Sequence, residues 1–205
     1  QRTLAVIAEQ KRQHIEGWLA EARVDAQMVF SGHSQLETVF EAWLDGGRRD
    51  DAAFARMQVL VEELARLRGW QGVALLDAEG TPALAVGSPD LSVHAELIAD
   101  VLRRPRVEFI DLHQDAQGRT HYGVLAPVGV PARGVAYLTW EAEAALYPMV
   151  EAWPVPTRSA ETYLVRRDGE GVRFLTPLRH QADAALALED RKSTRLNSSH
   201  ANISY

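Results

Sequence analysis

The stretch Gly72-Val-Ala-Leu-Leu-Asp-Ala-Glu-Gly80-Thr-Pro-Ala-Leu-Ala-Val86 decides the fold. Upstream of it apolar residues recur every three or four positions, whereas residues 72–76 form an unbroken run of strand length. Asp77-Ala-Glu-Gly80 then supplies residue types that accept turn geometry, and residues 82–86 return. The chain therefore switches from helical to hairpin periodicity just after Trp70.

Toward the N-terminus, residues 3–30 carry Leu4, Ile7, Ile15, Trp18, Leu19, Ala22, Ala26, Val29 and Phe30 at mostly helical spacing. This predicts one amphipathic helix spanning roughly 40 Å. Ser34-Gln-Leu-Glu37 is a capping box that opens a second, short helix through Phe40, Trp43 and Leu44, ended by Gly46-Gly47. Asp50 or Asp51 caps a third helix through Met57, Val61 and Leu64, which stops at Gly69.

Toward the C-terminus a helix is expected over about 90–103, with Leu97, Ile98, Val101 and Leu102 apolar and Pro105 closing it. Strands follow at 107–113, 120–128 and 134–140, the first two joined by the turn Asp115-Ala-Gln-Gly118. These five strands read as an antiparallel meander interrupted by one helix. A last helix over about 141–151 runs into the proline-rich link Trp153-Pro-Val-Pro156, after which Asp168-Gly-Glu-Gly171 turns a further hairpin.

Composition narrows the function classes. With 46% apolar and 24% charged residues in 205, the chain can bury a sizeable core without a staple. It has no cysteine, which removes disulfide scaffolds, cysteine-ligated zinc, iron–sulfur clusters and thiol nucleophiles. A net charge of −6, with Lys11 and Lys192 as its two lysines, argues against nucleic-acid binding. No apolar run reaches the ~18 residues of a membrane span. Because the first residue is Gln1, the chain reads as a fragment with any membrane segments outside it. From about Arg191 the text turns polar and aperiodic, and residues 190–205 read as a non-native tail.

Catalytic motifs are incomplete. His94-Ala-Glu96 lacks the cysteines of a zinc deaminase, and Gly32-His-Ser34 and Gly87-Ser88-Pro89 are not an esterase elbow. No phosphate-cradling glycine loop is present. His113, Asp115 and His121 flank one hairpin and could meet a metal, although a turn aspartate with two rim histidines is the commoner reading of such a set. No cofactor and no catalytic residue are assigned, and the chain is not expected to be an enzyme.

Several of these pieces resemble the extracytoplasmic double Cache (tandem PAS-like) sensor region of bacterial transmembrane receptors. They are residues 7–19 (Ile7-Ala-Glu-Gln-Lys-Arg-Gln-His-Ile-Glu-Gly-Trp-Leu19), the hairpin 72–80, Leu125-Ala-Pro-Val128, and the junction 146–156 with residues 161–169 and 174–180. The resemblance implies an α+β fold: a long N-terminal helix and a PAS-like five-stranded antiparallel sheet with flanking helices. It also implies a division into a signalling helix (1–32), a membrane-distal module (33–152) and the start of a membrane-proximal module (153–189). At ~37 residues that last piece is too short to fold alone. The implied function is periplasmic sensing of a small molecule at the bacterial inner membrane, relayed through the long helix to a kinase or cyclase output domain. A homodimer through that helix is implied as well. A ligand-free dimerisation or spacer module, and a cytoplasmic PAS-type sensor, remain as alternatives.

Strand alternation supplies candidate ligand contacts: Asp111, His113, Tyr122 and Tyr137, with Trp70 and Arg119 at the mouth. A carboxylate and an imidazole beside aromatic rings suit a polar ligand. Which face of the sheet lines a pocket is not fixed by alternation alone. The spaced Tyr, Arg, Trp and Asp set of amino-acid-binding relatives is absent, which makes an amino-acid ligand less expected.

Overall fold

The computed structural model describes residues 2–30, 34–89, 91, 95–152 and 161–190. His94, Trp153, Pro154 and the polar tail therefore lie outside the described residues. Three helices lead: α1 (Arg2–Phe30), α2 (Gln35–Asp45) and α3 (Asp51–Arg68). The capping box is formed, with Ser34 Oγ accepting from the Glu37 amide and the Glu37 carboxylate accepting from the Ser34 amide. Asp50 caps α3 by accepting from the Ala53 amide, and Gly69 ends that helix in the left-handed conformation at φ 68°.

Strands β1 (Gly72–Asp77) and β2 (Pro82–Val86) form the expected hairpin, followed by α4 (Ala95–Arg103). Next come β3 (Glu108–Gln114), β4 (Thr120–Val128) and β5 (Gly134–Glu141). The sheet is antiparallel, but its order β2-β1-β5-β4-β3 is not that of a meander. The α4 crossover carries the chain to the far edge, and β5 returns to the middle to pair with β1. This corrects the strand order read from the sequence, because periodicity reports strands and turns but not which edge a crossover reaches. The fifth helix also starts later than expected: β5 takes Glu141, and α5 is Leu146–Glu151.

Pairing register fixes the two faces. Leu125 opposes Tyr137, and Tyr137 opposes Ala74, so these three share one face with Leu76 and Val135. That face packs under Ile98 and Val101 of α4 and beside Ile110 of β3 in one buried cluster. Each fully buried aliphatic there contributes about 1.5–3 kcal/mol. The other face carries Val73, Leu75, Val124, Ala136 and Leu138, all fully buried. Helix α2 reaches this side, since a Cβ on Gly134 would sit 2.9 Å from the Phe40 ring. Glycine is required there for the close approach.

Residues divide into two compact units. One comprises 20–111 and 115–141, and holds the five-stranded sheet, α2, α3, α4 and the second half of α1. The other comprises 1–19, 112–114 and the chain from Ala142 onward. Within it, α5 is joined by a three-stranded sheet of β6 (Val165–Asp168), β7 (Gly171–Phe174) and β8 (Glu189–Asp190). Leu164, Val165, Phe174 and Leu175 are buried in this unit, and the Tyr147 hydroxyl donates to the Leu175 carbonyl at 3.1 Å.

Candidate functional site

Two hairpins of the sheet, β1–β2 and β3–β4, are closed by the same device. In each, an aspartate opens an Asp-x-x-Gly turn, and its carboxylate accepts from backbone amides two and four residues ahead. Asp77 accepts from Glu79 at 3.0 Å and Thr81 at 2.8 Å; Asp115 accepts from Gln117 and Arg119, both at 2.9 Å. An arginine completes each carboxylate: Arg48 for Asp77 and Arg119 for Asp115. The sequence-level reading of these residues as turn formers holds, and their arginine partners are what it missed.

At the second turn this grows into a polar corner on the α4 side of the sheet. His121 Nε2 lies 2.9 Å from Asp115 Oδ2, and Arg119 reaches both Asp115 at 2.8 Å and Glu141 at 3.3 Å. Burial pushes the Asp115 carboxyl up, but the Arg119 amide, the His121 ring, the Arg119 guanidinium and the Gln117 amide together outweigh it. The net result holds it well below the ordinary carboxylate range. His121 and Asp115 form its buried end, and Arg119 and Glu141 reach out to solvent.

From this corner a strip runs inward along the same face through Gly123 and Thr139 to Tyr137. The Tyr137 ring lies over Gly123: a Cβ there would stand 2.7 Å from Tyr137 Cε2 and 2.8 Å from the Leu138 carbonyl oxygen. Thr139 Oγ1 donates to the Gly72 carbonyl at 3.3 Å, so the strip alternates aromatic and hydrogen-bonding surface.

The six sequence candidates are not brought into one cavity. Tyr137 and Arg119 lie on the α4 side or at its polar end. Tyr122 points to the opposite face, where it stacks on Trp140 with centroids 5.5 Å apart and planes 5° apart. Burial pushes its phenol far above the usual tyrosine range, so it stays protonated. Trp70 is buried against Phe30 at 6.0 Å. Alternation along β3 turns Asp111 and His113 away from α4, as with Phe109, and Asp111 is exposed. His113 falls with Leu112 and Gln114 in the unit that contains α5. Among the described residues no group of three or more His, Asp or Glu has the geometry to hold a metal ion. Among the described residues no helix is long and apolar enough to cross a membrane.

A residue that sequence reading passed over organises the unit containing α5. Lys11 of α1 is buried and donates to the carbonyls of Met149 at 3.2 Å and of Val150 and Ala152 at 2.5 Å each. It caps the C-terminal end of α5, where carbonyls lack helical partners and the helix dipole favours a cation. Burial pushes its ammonium below the usual lysine range, with Glu151 opposing. Its rarity as a lysine in an arginine-rich chain was the available signal.

Clefts also open elsewhere among the described residues. One of about 330 Å³ is lined by Glu151, Glu161, Thr162 and Arg179. Another of about 590 Å³ lies beside Arg23 of α1 and the β4–β5 turn.

Among known proteins, no family model matches the sequence, and no curated sequence matches it. A solved structure does share its fold. The chain superposes on the ligand-binding domain of the Pseudomonas aeruginosa PAO1 amino acid chemoreceptor PctC in complex with GABA, with a TM-score of 0.51 and 19% identity over 74% of this chain. It spans 65% of the length of that domain. A domain of a protein assigned to the sensory box/GGDEF family of Vibrio parahaemolyticus aligns with a TM-score of 0.45, 15% identity and coverage of 74% of this chain and 61% of that one. The extracellular domain of a protein assigned as a histidine kinase aligns at 0.40, 16% identity and coverage of 72% and 63%.

Proposed function

We propose that this chain is the extracytoplasmic, small-molecule-sensing region of a bacterial transmembrane receptor of the double Cache type. The observation that carries the reading is the architecture. A long leading helix precedes a sheet of order β2-β1-β5-β4-β3 with α4 inserted between β2 and β3, an α+β fold held in common with a chemoreceptor ligand-binding domain.

The ligand seat we assign is the α4-facing strip. Tyr137 over Gly123 offers an aromatic wall; His121 and Arg119, held by Asp115, offer a polar end. A small polar molecule would wedge between this strip and α4, and the altered packing would be passed along α1 toward the membrane. Moving a two-state receptor from 1:99 to 99:1 takes about 5.5 kcal/mol of differential binding. A few buried polar contacts suffice. Tyr122 packs the side away from the seat, Trp70 packs against Phe30, and Asp111 and His113 take no part in it. Val6, Val24 and Met28 are exposed apolar residues of α1, which supports dimerisation through that helix. The kinase or cyclase output, the membrane segments and a second module begun by residues 153–189 belong to the same proposal, as does a non-native origin for residues 190–205.

One observation favours a second reading, a ligand-free dimerisation or spacer module: Tyr137 is 0% exposed, so the strip is closed by its own side chain. A thermal-shift screen with GABA, other amines, carboxylates and nucleobases separates the two. A binder at 100 times its Kd adds about 2.7 kcal/mol, or about 5–10 °C for a chain of this length. No shift with any member of the panel would favour the spacer.

A further inference from the structure

The cleft beside α1 holds a cation, Arg23, that no acidic side chain among the described residues satisfies. Arg23 lies with its guanidinium carbon 4.9 Å from the centroid of the Phe109 ring, and among the described residues it has no ion-pair partner. Nearby Arg106 differs, being committed to Asp100 at 2.8 Å and Glu108 at 2.7 Å. This contact with the ring removes part of the side chain's entropy cost of binding. Around it the cleft of about 590 Å³ is walled by Pro105, Val107, Pro127, Val130 and Pro131. That volume falls within the range of small-molecule sites.

Val130 is 71% exposed at the lip, although a turn residue of this size is ordinarily tucked in or replaced by a polar one. Next to it Gly129 has φ +87°, and its amide donates to the carbonyl of Phe30, the last residue of α1, at 3.0 Å. The cleft is thus tied to the end of the long helix by a hydrogen bond.

We infer that this cleft is a second binding site, for a small carboxylate with an apolar body. Arg23 pairs with the carboxylate, and the proline and valine wall takes the hydrocarbon. The site sits beside Arg23 and the β4–β5 turn and shares no residue with the seat proposed above, which is Tyr137 over Gly123 with His121 and Arg119, and its binding does not depend on the domain being a sensor.

The test titrates the whole chain with benzoate and with benzyl alcohol, its neutral near-isostere, following heteronuclear spectra of the methyl groups of Val107 and Val130. Benzoate is expected to saturate with a Kd of about 1 mM or tighter and to move both valines, and benzyl alcohol to bind at least about tenfold more weakly. Arg23→Met should weaken benzoate at least about tenfold while leaving the melting temperature unchanged, because the side chain is exposed and its stem is kept. Arg23→Lys should retain part of the affinity, and Arg103→Met, outside the cleft, all of it. Absence of saturation, equal binding of the alcohol, or undiminished affinity in Arg23→Met would each overturn the assignment.

Discussion

Replacing Gly123 by alanine tests the strip at its tightest point. With an unremarkable strand backbone, glycine to alanine is expected to stabilise by about 0.5–1 kcal/mol through the entropy of the unfolded chain. Here the added Cβ would sit 2.7 Å from Tyr137 Cε2, against an ordinary carbon–carbon contact of about 3.5–4.0 Å. The ring cannot swing away, because Tyr137 is fully buried among Leu125, Ala74, Ile98 and Val101. Backbone blocks the other direction, with the Leu138 carbonyl oxygen 2.8 Å away. Overpacking of this kind costs about 1–3 kcal/mol, so the net sign is destabilising and the melting temperature falls by about 3–10 °C. Differential scanning calorimetry reads this directly. In a Tyr137→Leu background the clash is gone, and the same substitution should cost at least about 1 kcal/mol less. A melting temperature unchanged or raised in Gly123→Ala, or no coupling to Tyr137, would refute the packing described.

Two other perturbations probe the fixed charges. Asp115 is held below its unfolded value near 4, so the stability it contributes is present above that pH and is lost as pH falls through the lowered folded value. Acid titration of Asp115→Asn should therefore show a shallower loss of stability below about pH 4 than the parent, read by circular dichroism. Lys11→Met leaves three α5-terminal carbonyls without their charged donor. It should destabilise the unit containing α5 by about 1–3 kcal/mol, with amide exchange accelerating in residues 146–152 before the sheet responds.

Much of the architecture was legible because its signals are local. Ser34 and Glu37 announce a capping box within four residues, and Asp77 with Gly80 and Asp115 with Gly118 announce turns. The period change after Trp70 separates helices from strands. What local signals lack is phase between strands: alternation gave two faces for β4 and two for β5, but only the pairing of Tyr122 with Trp140, and of Leu125 with Tyr137, places the tyrosines on opposite sides. The sheet order was hidden for the same reason. Arg23 over Phe109 joins residues 86 positions apart, and Lys11 under the end of α5 joins residues about 140 apart, so neither pairing leaves a local pattern, and the rarity of lysine marks Lys11 without naming its partner.

The most direct test of the ligand seat is a methyl-resolved spectrum of the chain titrated with GABA and the same panel of amines, carboxylates and nucleobases. At least one member should move the methyl signals of Ile98, Val101 and Leu125, which line the α4-facing side, and leave those of Val73, Val124 and Leu138 on the opposite face in place. Signals on the α4-facing side that stay fixed with every member, or shifts confined to the opposite face, would contradict the assignment.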